Sequence, residues 1–333
     1  LNTLLTNTLS RVALASTLLL SILCAAAAAQ PGAKSRIMTA SGVRVRSAPQ
    51  TSAAEVGRLA LGTVVSELER SAQRERVGEA EDYWYRVAGP GGLEGWVFGG
   101  LTAAFDPDRR VEIYQQLAAA RVNNAAATFA ELSDLVTFLE RAAGEVKGRE
   151  ALAELELARL IALQRSFASM DMAELEKPPY AAWIKAHEAE SVYSEPAGQW
   201  YVRAEKFWDL QTKYKDLPIG ERIAWEASQI PLPGECEGYL PCYLYALTES
   251  EGRYLKLYPE GAHAGDALEK IGEFFSAVAE DGGAENPVYE VPAEDRADFQ
   301  KAVAQLRGWV AAAKHGARTR LLTQLDEVAR RFR

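Results

Sequence analysis

The chain has 333 residues, enough for about two domains of ordinary size. Its composition, 48% hydrophobic and 25% charged, fits a globular protein and excludes a disordered or fibrous one. The net charge is −9 and the excess acid falls after residue 105, which argues against nucleic acid as a partner, because that binding rests on basic charge.

Arg11 is the first charged residue. Val12 to Ala29 is uncharged and runs through Leu18-Leu19-Leu20-Ser21-Ile22-Leu23-Cys24 into a string of alanines. A charge, an apolar run and an Ala-x-Ala end read as a secretory signal over residues 1–29, cleaved after Ala29, with export to the periplasm or cell envelope. An uncleaved anchor helix competes for the same run. Lipidation at Cys24 is disfavoured by the bulky Leu23 before it. A membrane is expected as a partner only if the segment stays uncleaved or is lipidated. Residues 30–36 form a linker.

From Ile37 the pattern becomes one of short strands, giving a β domain over 37–104. Val43 and Val45 alternate with Arg44 and Arg46, as in a half-buried strand. Val56, Leu59 and Leu61 lead to Gly62, and Thr63-Val64-Val65 opens the next β-branched run. Arg70 to Asp82 reads as a charged, solvated loop. Tyr83–Val87 and Trp96–Phe98 are two further strands, turned by Gly89-Pro90-Gly91-Gly92. Five short strands in so small a segment predict a small barrel, which removes sheet edges by closure.

The landmarks Val43-Arg44-Val45-Arg46-Ser47-Ala48-Pro49, Val56-Gly57-Arg58-Leu59, Gly62-Thr63-Val64-Val65, Trp84-Tyr85-Arg86-Val87 and Gly95-Trp96-Val97 with Leu101 come in an order and spacing that resemble the bacterial SH3 (SH3b) domain. The resemblance implies an SH3-like barrel that binds a peptide or a peptidoglycan-derived ligand. It departs at Arg70–Asp82, which is longer than the turn usual in that family.

After Phe105 the pattern turns helical, with helices expected near 108–121, 126–143, 147–168, 180–190, 197–215, 218–229, 240–258, 263–280, 292–314 and 317–332. Trp200, Ala204, Phe207, Trp208 and Tyr214 share one face at helical spacing, as do Phe299, Val303, Leu306, Val310 and Ala313. The fold class expected is therefore multidomain: a small all-β SH3-like barrel, then a larger all-α domain over 106–333. Tyr214-Lys215-Asp216-Leu217-Pro218 and Tyr258-Pro259-Glu260-Gly261 each lead from one helix into the next. Over these two helix pairs the chain is similar to the tetratricopeptide-type repeats of envelope assembly lipoproteins. A repeat stack and an irregular bundle both remain open.

Cys236 and Cys242 are the only cysteines after the leader. An even pair close together in an exported chain reads as a structural disulfide, without the Cys-x-x-Cys spacing of redox motifs. Neither Cys nor His clusters at metal-ligand spacing, so no metal or cofactor is expected. His187, His263 and His315 lie in three separate segments, and no nucleophile, phosphate-loop or dinucleotide motif is present. Acids such as Glu150, Glu154 and Glu156 read as a solvated helix face.

The aromatics of the barrel remain. Strand alternation puts Val87 and Val97 inward and leaves Trp84, Trp96 and Arg46 partly exposed. Arg46, Trp84, Arg86, Trp96 and Phe98 are the candidate ligand-binding residues. Two readings of them stay open: a groove for an extended peptide, or a face packed on the helical domain. The function expected is that of a non-enzymatic binding or scaffold protein of the cell envelope, with a protein partner for the helical part. Two alternatives are a wall-modifying hydrolase with its carboxylates in the helices, and a barrel that serves only as a packing element.

Overall fold

The computed structural model describes residues 34–281 and 287–333. The signal segment, its cleavage site after Ala29 and Cys24 lie outside the described residues. The β-branched runs fold as β1 (Ser35–Met38), β2 (Val43–Arg46), β3 (Glu55–Leu59), β4 (Val64–Arg70), β5 (Glu75–Val77), β6 (Ala80–Asp82), β7 (Trp84–Ala88), β8 (Glu94–Phe98) and β9 (Thr102–Phe105). Seven of these make one barrel-like antiparallel sheet in the order β3-β2-β8-β7-β4-β1-β9. The sequence reading missed β1 and β9, which zip together along Ser35–Met38 and Thr102–Phe105 and frame the domain. It also took Arg70–Asp82 for a loop. That stretch instead forms a hairpin of its own, β5 against β6, across the Gly78 turn.

Alternation fills the barrel. Met38, Val43, Val45, Leu59, Val65, Tyr85, Val87 and Val97 form its core. Ile37 and Phe105 face the other way and join the core of the helical part, as does Leu61 from the turn before β4. This face is where the two parts meet. Phe105 stacks on Tyr114, whose ring meets Phe138 edge-on at 5.2 Å. Two arginines cap the seam: Arg121 donates to the Thr39 carbonyl at 2.6 Å and Arg141 to the Leu61 carbonyl at 3.0 Å.

The helical part comprises, among the described residues, α1 (Arg110–Val122), α2 (Phe129–Glu145), α3 (Arg149–Ala168), α4 (Tyr180–Ala186), α5 (Ala204–Tyr214), α6 (Ile219–Ser228), α7 (Leu240–Glu249), α8 (Glu251–Leu257), α9 (Ala264–Asp281), α10 (Arg296–Ala312) and α11 (Arg318–Arg331). Helix α2 starts on a capping box, with Thr128 and Glu131 satisfying each other's backbone donors. Pairs α2–α3, α5–α6, α8–α9 and α10–α11 pack side by side and then on one another, burying the apolar stripes read from the sequence. Phe299, Val303, Leu306, Val310 and Ala313 are all buried as expected.

The barrel followed by a larger helical part is as expected, and two local features differ from the helix bounds read from the sequence. A hairpin of β10 (Ser191–Ser194) and β11 (Gln199–Val202) interrupts the helices, so Trp200 sits on a strand opposite Tyr193 and not on the α5 face. Helix 240–258 breaks at Ser250 into α7 and α8. The acids of α3 also do more than face solvent: Glu154 pairs with Arg222 and Glu156 with Lys213, tying α3 to α6 and α5.

Cys236 and Cys242 are bonded, with Cα atoms 5.4 Å apart. Their loop is also held by an exchange between Gly238, Leu240 and Glu290 backbone groups. Replacing both cysteines by serine frees the unfolded chain and is expected to cost about 2 kcal/mol in urea denaturation, the entropy of closing so short a loop. An unchanged midpoint would mean that the Glu290 strap alone fixes the loop.

Candidate functional site

The outer face of β2, β8 and β7 carries the candidate residues, because they alternate with the inward valines. Trp84 lies opposite Phe98, and Arg86 opposite Trp96. On the next strand Arg46 lies opposite Trp96. All five therefore share one face. The alternation argument holds for Val87 and Val97, which are 1% and 0% exposed.

It fails for the exposure of Trp84. Trp84 is 3% exposed and Phe98 4%, their rings meeting edge-on at 5.6 Å. Their cover is the β5–β6 hairpin. The Trp84 indole N–H donates to the Glu75 carboxylate, the Trp84 backbone N–H donates to the Ser71 hydroxyl, and Ala80 packs near the Phe98 ring. The covering element is therefore the insertion that distinguishes this barrel, while the helices pack on Ile37, Leu61 and Phe105. Trp96 is half-buried, and Arg86 is engaged by Glu94 at 2.5 Å and Glu69 at 3.9 Å.

Between the hairpin and the turn leading into β2 lies a cleft of about 300 Å³. Trp84 and Phe98 line it, Val77 walls it on the hairpin side, and Arg44 and Arg46 stand at its edge. The Ser41 hydroxyl, in the same lining, is buried and has no hydrogen-bond partner among the described residues. A polar atom left unpaired beside an open cleft is satisfied when a ligand supplies the missing group. Arg46 donates to the Ala53 carbonyl at 2.7 Å, a neutral partner. Arg44 and Arg58 share Glu55 at 3.4 and 2.7 Å. The hydrogen bond from Arg58, with the fields of Arg44 and Arg46, holds the Glu55 carboxyl below its ordinary value. One carboxylate among three guanidiniums leaves the cleft edge at Arg44 and Arg46 positively charged.

The structure thus brings Arg46, Trp84 and Phe98 into one cleft and sets Trp96 and Arg86 beside it on the same face. The sequence reading missed Ser41, Arg44 and Val77. Arg44 was legible, since it shares the parity of Arg46 on β2. Val77 depended on seeing a hairpin in Arg76-Val77-Gly78-Glu79, where a glycine at φ +61 makes the turn.

A small barrel with a cleft on one sheet face, joined to helices through other residues, has the form of a binding module. Residues 41–103 match the bacterial SH3 domain family, and this part of the chain is such a domain. No curated protein and no solved structure matches the chain. Among the described residues no group of three or more His, Cys, Asp or Glu side chains is placed to hold a metal ion, and no helix is long and apolar enough to cross a membrane.

Proposed function

We propose that the protein is an exported, non-catalytic binding protein of the bacterial cell envelope. In this reading its SH3 domain holds an extended peptide, of protein or cell-wall origin, in the cleft beside Arg46. The observation that carries the reading is Arg46, whose side-chain hydrogen bond goes to a neutral carbonyl, beside an unpaired Ser41 hydroxyl and the Trp84–Phe98 floor. Arg46 suits a carboxylate of the ligand, Ser41 suits a backbone amide or carbonyl, and Trp96 extends the contact along the sheet. Export is supported by the uncharged Val12–Ala29 run and by the Cys236–Cys242 bond, since disulfides persist in oxidising compartments. The helical part belongs to the same proposal as the module for a protein partner. Helix pairs α5–α6 and α8–α9 each turn at a Tyr and a nearby Pro, which is the basis of the tetratricopeptide-type resemblance.

Retention on purified cell-wall sacculi tests the reading. Arg46→Ala and Trp96→Ala are each expected to weaken retention at least about tenfold, while neither side chain is part of the barrel core. Retention unchanged in both variants, at unchanged melting temperature, would remove the cleft as the binding site. A loss of melting temperature without a loss of retention would assign Trp96 to packing.

A further inference from the structure

Helix α3 packs against both α1 and α6, while α1 and α6 do not close on each other. Between them lies a cavity of about 410 Å³, a volume within the range of small-ligand sites. Alanines at Ala118, Ala119 and Ala158 leave the space that larger side chains would fill, and Leu155 and Ile161 give it an apolar wall. At the rim stand Glu154, Arg222 and Glu226. Glu154 and Arg222 pair with each other and cancel. Glu226 has neither a hydrogen bond nor an ion pair among the described residues. Burial pushes its carboxyl above the ordinary value, against the weaker pull of Arg222 and His263. A carboxyl held at an apolar surface without a donor is costly, and a cation or N–H donor supplied from outside relieves that cost.

We propose that this cavity binds an aliphatic primary ammonium group, with its methylenes against Ala158, Leu155 and Ile161 and its charge on Glu226. The excess acid of the helical part favours approach of a cation over an anion. The same chemistry is carried by a free alkylamine and by a lysine-type side chain of a peptide. The proposal is independent of the SH3 cleft.

The test is calorimetric titration of the whole protein with n-pentylamine, 1-pentanol and pentanoate. Saturable binding of pentylamine is expected, with pentanol about tenfold weaker and pentanoate weaker still. Glu226→Gln should lower the affinity for pentylamine about tenfold and leave pentanol unchanged. Ala119→Leu, at an exposed helical position that borders the cavity, should weaken both. Circular-dichroism melts confirm that each variant is folded. A titration with Nα-acetyl-lysine methylamide separates the sources: tighter binding than pentylamine points to a peptide side chain, weaker binding to a free amine. The proposal is overturned if pentylamine shows no saturable binding, or if it binds Glu226→Gln and the parent protein equally.

Discussion

Gly62→Ala is expected to destabilise the protein by about 3 kcal/mol, although it adds a single methyl group. Gly62 sits at φ +70, where an L-residue costs about 1 kcal/mol or more. A Cβ at this position would overlap the edge of the Phe138 ring, and Phe138 is 1% exposed in the core of the seam. Overpacking of this kind adds about 1–3 kcal/mol. The overlap also pushes on the Arg141 bond to the Leu61 carbonyl, which holds the barrel to α2. Gly78→Ala is the control. Gly78 has φ +61 but open space around it, so only the backbone cost applies, about 1 kcal/mol. Urea denaturation of both variants separates the two contributions. Equal losses would show that the Gly62 turn does not pack on Phe138 in solution, and the seam described here would fail with it.

Gly62 also shows where the sequence stops being informative. Its place before Thr63-Val64-Val65 marked a turn, and the turn is there. Nothing local marks it as the contact point for a helix more than seventy residues away, because that depends on Phe138 arriving opposite it. The same distinction runs through the chain. The inward parity of Val87 and Val97 was legible, since alternation is a property of the strand itself. The burial of Trp84 and Phe98 was not, since it depends on the insertion folding back over them. Helix positions were legible from apolar spacing wherever a long stripe existed. Trp200 was misplaced because it lies four residues before Ala204, a helical interval. The stretch Glu195-Pro196-Ala197-Gly198 between Tyr193 and Trp200 carried the competing turn signal, and the turn prevailed. The disulfide was legible from cysteine number and spacing alone. The cavity among α1, α3 and α6 left no sequence mark, since its alanines read as ordinary helix formers.

The apolar seam and the cleft use different residues of the barrel, and this bears on the choice between binding and packing. Aromatics on a small sheet can serve a neighbouring domain or a ligand. Here the seam uses Ile37, Leu61 and Phe105, none of which was a candidate ligand residue. The candidate face is roofed in part by the β5–β6 hairpin, which narrows an open sheet face to a cleft. The hairpin is thus placed to set which peptide fits, since its Val77 lines the same cleft as the unpaired Ser41.

Glu190→Gln is expected to cost about 2 kcal/mol at neutral pH and to flatten the acid side of the stability profile. Glu190 lies in the connection between α4 and β10. It accepts two bonds from Arg159 at 2.8 and 2.7 Å and sits 3.3 Å from the His187 Nδ1. The contact with His187, then the Arg159 guanidinium, hold its carboxyl at about 2, against an ordinary value of 4.5. A folded value below the unfolded one means that the ionised form is favoured by folding. The stabilisation is therefore complete above about pH 4.5 and disappears as pH falls through about 2. Taken in full, the shift corresponds to about 3 kcal/mol, and solvent screening of a carboxylate that is partly exposed reduces it to about 2. Several other carboxyls held low by their partners, Glu112, Glu131 and Asp216 among them, also contribute to acid unfolding. They titrate alike in both proteins, so the difference between parent and variant isolates Glu190. Urea denaturation at intervals from about pH 7 down to about pH 3 should show that difference shrinking toward zero on the acid side. A difference that stays constant over this range would mean that Glu190 stabilises the α4–β10 connection by shape and neutral hydrogen bonding, and not through its charge.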